Sequence, residues 1–128
     1  MRCLLDTHTF LWFINGDDRL GKRAREVISN IESEVLLSIA SLWEIAIKIS
    51  LGKLELELSF PELVQRQLIA NEIGLLPIDP RHLFTLTDLP FHHRDPFDRL
   101  IIAQAMSEGI PVLSGDEEFQ SYPVQTVW

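Results

Sequence analysis

An α/β domain built on a mostly parallel, five-stranded sheet is the fold class this sequence predicts. Three observations lead there. Short apolar runs of strand length alternate along the chain with longer segments of helical period. Acidic or hydroxyl residues stand directly after several of those runs, where a strand would hand over to a helix. The 128 residues, 46% hydrophobic and 23% charged, suffice for one buried core without a disordered or repetitive segment. Residues 1–128 are therefore read as a single domain.

Arg2–Leu5 is the first predicted strand, an apolar run ended by Asp6. Thr9–Asn15 reads as a short helix closed by Gly16-Asp17-Asp18. In Lys22–Ile31 the apolar Ala24, Val27, Ile28 and Ile31 recur at helical spacing. Val35–Leu37 is the second strand, and Ser38 stands where it would cap a helix over Ile39–Leu51. That helix is apolar on most sides, so burial is expected, with Ser41, Glu44 and Lys48 forming one polar stripe. Gly52 ends it. Ser59-Phe60-Pro61 opens the next helix with proline near its first position, and Gly74 is the expected residue past its end. Leu75–Ile78 is the third strand, and a short helix runs from Pro80 to about Leu86. Asp95-Pro96 starts another helix, apolar from Phe97 through Met106 and followed by Gly109. Val112-Leu113 is the fourth strand, leading into Ser114-Gly115-Asp116, and Val124–Val127 is the fifth.

Charge narrows the function. Eleven Lys and Arg against nineteen Asp and Glu leave a net charge of −8, the opposite sign to a module that holds nucleic acid by a broad basic face, though a nucleic-acid enzyme is not excluded. Any affinity for phosphate must come from a few local cations, from metal ions, or from both. The one cysteine, Cys3, has no partner for an internal disulfide, so a reducing compartment is expected. No apolar run approaches a membrane span, and Asp6 and His8 interrupt the N-terminal run too early for a secretory leader. The expectation is a cytoplasmic protein with no membrane contact.

Ligands of parallel α/β sheets bind at the carboxyl ends of the strands. Asp6 and Asp116 follow strands, Glu44 lies in the helix after the second strand, and Asp98 lies three residues into the helix opened by Asp95. Each acid has an ordinary role available. Asp6 is a turn or cap residue, Glu44 an i,i+4 partner of Lys48, Asp98 a helix-dipole acid beside the Asp95 cap, and Asp116 a cap for a short helix from Glu117. Together they would converge on one rim. Carboxylates gathered in a cleft repel one another unless cations lie between them, and such oxygen-rich donors suit Mg²⁺ or Mn²⁺. Ions of that kind assist cleavage of phosphodiesters.

Four segments carry a family resemblance: Leu4-Leu5-Asp6-Thr7-His8-Thr9-Phe10-Leu11-Trp12, Ser38-Ile39-Ala40-Ser41-Leu42-Trp43-Glu44-Ile45, His93-Arg94-Asp95-Pro96-Phe97-Asp98-Arg99-Leu100-Ile101-Ile102-Ala103-Gln104-Ala105, and Leu113-Ser114-Gly115-Asp116. In order and spacing they resemble the motifs of PIN-domain ribonucleases, and among these the VapC toxins of type II toxin–antitoxin pairs. The resemblance implies a three-layer α/β/α domain and an endoribonuclease that uses Mg²⁺ or Mn²⁺. Asp6, Glu44, Asp98 and Asp116 match the acidic metal-site positions. Asp6 and Asp98 are the foremost ligands, Glu44 binds a second ion or orients water, and Asp116 binds directly or through water. Ser114 matches a supporting hydroxyl, and Asp95 belongs to the motif but is assigned first to capping.

The partners implied are an RNA substrate, a second copy of the chain in a homodimer, and an antitoxin that wraps the toxin and plugs its acidic cleft with a basic side chain. Arg99, Arg94, His92, His93 and Lys48 are candidate substrate contacts beside the cleft, and each is equally a solvated charge. His8 is either a substrate-steering or a simply hydrogen-bonded residue. Trp12, Trp43 and Phe97 either stack bases or, as their helical spacing among aliphatics favours, pack in the core. The helix over Thr9–Ile14 offers apolar residues to an antitoxin groove, a dimer face or the core. Three rivals stand beside this reading. A receiver-like signalling module lacks its usual lysine near the last strands, and an aspartyl phosphatase lacks the second acid of its loop, with His8 in that place. The third is a PIN domain that binds RNA or protein without cutting.

Overall fold

Each apolar run read from the sequence pairs into one sheet of the computed structural model, which describes residues 1–128. The strands are β1 (Arg2–Leu5), β2 (Glu34–Ser38), β3 (Gly74–Leu76), β4 (Val112–Leu113) and β5 (Thr126–Val127). They lie in the order β3-β2-β1-β4-β5, and all four pairings are parallel, from Arg2 opposite Glu34 in the first to Val112 opposite Thr126 in the last. The sheet is thus wholly parallel, since helices carry the chain back between successive strands, with a 3₁₀ turn at Glu117–Ser121 before β5.

Helices α1 (Thr7–Asn15), α2 (Lys22–Ser29), α3 (Ile39–Ser50), α4 (Phe60–Ala70), α5 (Pro80–Asp88) and α6 (Pro96–Glu108) fill the crossovers. Strand alternation sends Cys3, Leu5, Val35 and Leu37 to one face, where they pack with Phe10, Ala24, Ile45, Leu63 and Leu68 of α1 to α4. Leu4, Leu36 and Val112 point to the other, against Ile101, Ile102 and Phe119. Apolar contact on both faces makes the arrangement three-layered, as a parallel sheet requires. No helix is long and apolar enough to cross a membrane.

Several boundaries differ from expectation: β3 ends at Leu76 instead of Ile78 and β5 begins at Thr126 instead of Val124, and three further differences have a local cause. The first helix starts at Thr7, not Thr9, because the Asp6 carboxylate accepts the Thr9 N–H at 2.7 Å and so occupies the N-cap. The second helix stops at Ser29, leaving Ile31 89% exposed and off its apolar face. Gly74 does not end α4: Asn71 caps that helix, Glu72 takes the left-handed turn at φ 52°, and Gly74 opens β3. Glycine suits that place, where an added Cβ would come within 3.0 Å of Leu36 Cδ2.

One polar strut crosses the interior. Ser38 accepts the Ala40 N–H at 3.0 Å and donates to Gln104 Oε1 at 2.5 Å, both residues being fully buried. It ties the start of α3 to the middle of α6, the two helices that carry Glu44 and Asp98.

Candidate active site

Asp6 leaves β1 buried at the sheet's carboxyl edge, with its backbone N–H on Leu113 O at 3.3 Å. Burial pushes its carboxyl above the ordinary range, against hydrogen bonds from Ser114 and Thr9 and the nearby His8, which pull it down. The next residue, Thr7, donates its hydroxyl to Glu44 Oε1 at 2.8 Å and lies 2.9 Å from Ser41 Oγ. Lys48 Nζ takes the other oxygen, Oε2, at 2.9 Å. Glu44 is therefore buried and held by α1 on one side and its own helix on the other. Of the polar stripe, Ser41 and Glu44 face the start of α1 instead of bulk water, while Lys48 stays partly exposed.

Asp98 reaches the same rim from α6. Asp95 caps that helix, accepting the N–H groups of Phe97 (2.9 Å) and Asp98 (3.2 Å) with one oxygen. The expected capping role of Asp95 is observed. The Asp98 carboxyl is pushed up to about 6, first by burial and then by the charges of Asp95, Asp6 and Glu44, while a hydrogen bond from His93 opposes the rise. Asp98 thus feels the charges of Asp6 and Glu44 from the other two elements. His93 bridges Asp98, through Nε2 at 2.9 Å, to Glu118 on the 3₁₀ turn, through Nδ1. Burial lowers the imidazole pKa, but the Asp98 bond and the charges of Asp98, Glu118 and Asp95 outweigh it and hold it above its usual value. One donor atom each from His93, Asp98 and Asp116 lie within 4.8 Å of one another. Asp116 caps the 3₁₀ turn through the Glu118 N–H at 3.0 Å, and Ser114 Oγ accepts the Asp116 N–H at 3.1 Å.

Asp6, Glu44, Asp98 and Asp116 thus gather at one end of the sheet, with Ser114 between Asp6 and Asp116. The cations divide. Arg99 turns away: only 4% exposed, it donates to Pro90 O (2.8 Å), Tyr122 Oη (3.2 Å) and Leu89 O (3.4 Å), and its guanidinium lies 3.9 Å from the centre of the Phe91 ring. Adjacency to Asp98 in sequence suggested a phosphate contact, but one residue along a helix rotates the side chain by 100° into the fold. Arg94 and Lys48 line a cleft of about 430 Å³ with Lys53, Glu44, Asp95 and Phe97. A second cleft of about 360 Å³ opens on Asp6 and Asp116, walled by His8, Trp12, Arg19 and Trp128. His92 is exposed, its ring edge-on to Tyr122 at 5.2 Å. Trp43, expected in the core, is 56% exposed and meets Phe97 edge-on at 5.1 Å. Sequence reasoning missed the part of Thr7, whose only signal was its place beside Asp6, the bridging position of His93, and Trp128 altogether.

A PIN domain model matches residues 3–125. The chain belongs to the PIN-domain family. Within it, Ribonuclease VapC22 of Mycobacterium tuberculosis is 31% identical over 131 residues, covering 98% of this chain and 97% of the relative. Solved structures agree on the PIN fold. VapBC2 from Rickettsia felis, bound to a DNA fragment from its promoter, superposes with a TM-score of 0.74 at 12% identity, over 99% of this chain and 98% of the other. FitAcB from Neisseria gonorrhoeae gives 0.68 at 19% identity, over 98% and 96%. A toxin–antitoxin complex from Klebsiella pneumoniae gives 0.66 at 14%, again over 98% and 96%. This PIN domain is VapC-like along essentially its whole length.

Proposed function

We propose that this PIN domain is an endoribonuclease that hydrolyses RNA phosphodiester bonds with Mg²⁺ or Mn²⁺, and that it is the toxin of a toxin–antitoxin pair. The observation that carries the reading is the gathering of carboxylates at one rim, Asp98 with Asp116 and Asp116 with Asp6, where burial first and neighbouring charges second push Asp98 up to about 6. An assembly of buried acids that destabilise one another fits a divalent cation, which would offset the repulsion. The donor set, carboxylates with one imidazole, suits a hard ion better than a thiolate-seeking one. Asp6 and Asp98 would hold the ion, with Asp116 completing its surroundings and Ser114 orienting Asp116 and Asp6. A bound ion would supply charge stabilisation for the phosphate oxygens during in-line displacement.

The remaining work falls to the chain itself. Glu44, fixed by Thr7 and Lys48, is a carboxylate able to orient water toward the phosphate. Lys48, Lys53 and Arg94 provide positive charge for the flanking backbone. The 31% identical relative is named a ribonuclease, and the Klebsiella pneumoniae neighbour is a toxin–antitoxin complex, which support the substrate and the antitoxin partner. The antitoxin would cover a protein of net charge −8 and is expected to present basic side chains. A second copy is proposed at the β3 edge and α5, where Leu75, Leu83 and Phe84 are exposed. Light scattering should then report a dimer that Phe84→Glu dissociates; a wild-type monomer at micromolar concentration would sink that part.

End-labelled structured and unstructured RNAs, incubated with Mg²⁺, Mn²⁺ or EDTA, test the activity. Cleavage should require the metal and fall by more than about 100-fold in Asp6→Asn and Asp98→Asn, the loss of several kcal/mol of charge stabilisation. Equal cutting by wild type and both variants would refute the mechanism and favour the binding-only PIN domain.

A further inference from the structure

The cleft that opens on Asp6 and Asp116 has walls that a metal centre does not need. Trp12 and Trp128 meet edge to face with ring centres 5.8 Å apart, and His8 stacks on Trp12 at 5.8 Å with planes 24° apart. The Arg19 guanidinium lies over the Trp12 ring, 4.9 Å from its centre. A fork with Asp17, with contacts of 2.7 to 3.2 Å, holds that guanidinium in place. Two glycines set the position of Trp128. A Cβ on Gly115 would come 2.5 Å from its indole, and one on Gly21 would come 2.7 Å from its Cγ. His8 and Arg19 are exposed, and both indoles keep part of their surface toward the cleft.

Aromatic faces with a pre-oriented guanidinium are the chemistry that takes a nucleobase, because every base has a π-face to stack. We infer that Trp12, Trp128, His8 and Arg19 form a subsite for one unpaired base of the RNA, next to the phosphate held at the acids. The inference rests on the ribonuclease reading and deepens it. At about 360 Å³ the cleft has room for a nucleotide and none for a duplex. A base inside a helix is stacked on both faces and reaches such a wall only if it is extruded or already single-stranded. The opposite cleft, with Lys48, Lys53 and Arg94, offers point charges and so grips backbone without regard to base. The two sides of the acidic centre thus divide the substrate into a stacked nucleotide and a charged strand.

A series of single-stranded RNAs, each with one abasic position stepped through the cleavage site, tests this. One position beside the cut should lose about 5- to 150-fold in kcat/KM, the range of a single base–aromatic stack. Arg19→Ala and His8→Ala, which alter exposed side chains, should shrink that penalty, and a continuous duplex should be cut poorly. Equal cutting of every abasic substrate, or of duplex and single strand, would overturn the subsite while leaving the ribonuclease standing. If no RNA is cut at all, the ribonuclease reading fails by itself and tryptophan fluorescence decides the subsite. In a Trp43→Phe background only Trp12 and Trp128 report. Saturable quenching by a mixed-sequence single-stranded RNA hexamer, weakened in Arg19→Ala, supports the subsite; no quenching overturns it.

Discussion

Asp98 is where opposing demands meet in one side chain. The start of α6 favours an anion there, while burial and the charges of Asp95, Asp6 and Glu44 oppose one. Its carboxyl is pushed from 3.8 up to about 6 in the folded chain. The folded state therefore keeps a proton that the unfolded state has already lost between those values. Stability is full below about 4 and falls as pH climbs through about 6. That displacement is worth on the order of 3 kcal/mol. Asp6, also raised, and His93, held above its usual value, act in the same direction as pH rises. Urea denaturation of metal-free protein from pH 4 to 7 should show this decline, and Asp98→Asn should flatten it. Adding Mg²⁺ or Mn²⁺ at pH 7 should restore the wild type more than the variant. A wild type that gains stability from pH 4 to 6 in step with Asp98→Asn would show that repulsion at this site is negligible.

At the scale of elements, Arg99 joins three of them. From α6 it holds the carbonyls of Leu89 and Pro90, just past α5, and the hydroxyl of Tyr122 at the end of the 3₁₀ turn. Arg99→Ala should cost about 3 kcal/mol, since hydrogen bonds to a charged donor contribute about 1.5 to 3 kcal/mol each and are not additive. Arg99→Lys should rescue little of it, because one ammonium cannot span that fork. Urea midpoints read both; a neutral Arg99→Ala would return the residue to the class of substrate contacts. Helix starts were legible wherever a cap had one candidate: Ser38, Ser59 and Asp95 accept the expected N–H groups. The end of α4 was not legible, because the left-handed turn fell on Glu72 instead of the nearby glycine. The acids were legible as strand-end and helix-start residues. Their partners were not: Thr7 to Glu44 and His93 to Glu118 are contacts between distant elements, and no local pattern encodes them.

Across the whole molecule, charge and site pull RNA in opposite directions. A net charge of −8 repels a polyanion at long range, and the acids at the sheet edge repel it at short range. Beside the acids, attraction comes from Lys48, Lys53 and Arg94 in one cleft and Arg19 in the other, and Lys48 is already paired with Glu44. Arg19, forked to Asp17, is likewise largely neutralised. Few phosphates can then be contacted by free cations, which sets the salt dependence. Each phosphate neutralised on a single strand contributes about −0.7 to the slope of log K against log salt, so three contacts give about −2. Measured at fixed free Mg²⁺, log kcat/KM should therefore fall with a slope no steeper than about −2. Lys53→Ala should make that slope shallower by about 0.7, and Arg94→Ala should do the same. A slope near −5 would mean a basic surface supplied from outside this chain's own cleft, and the partner copy would be the first place to look for it.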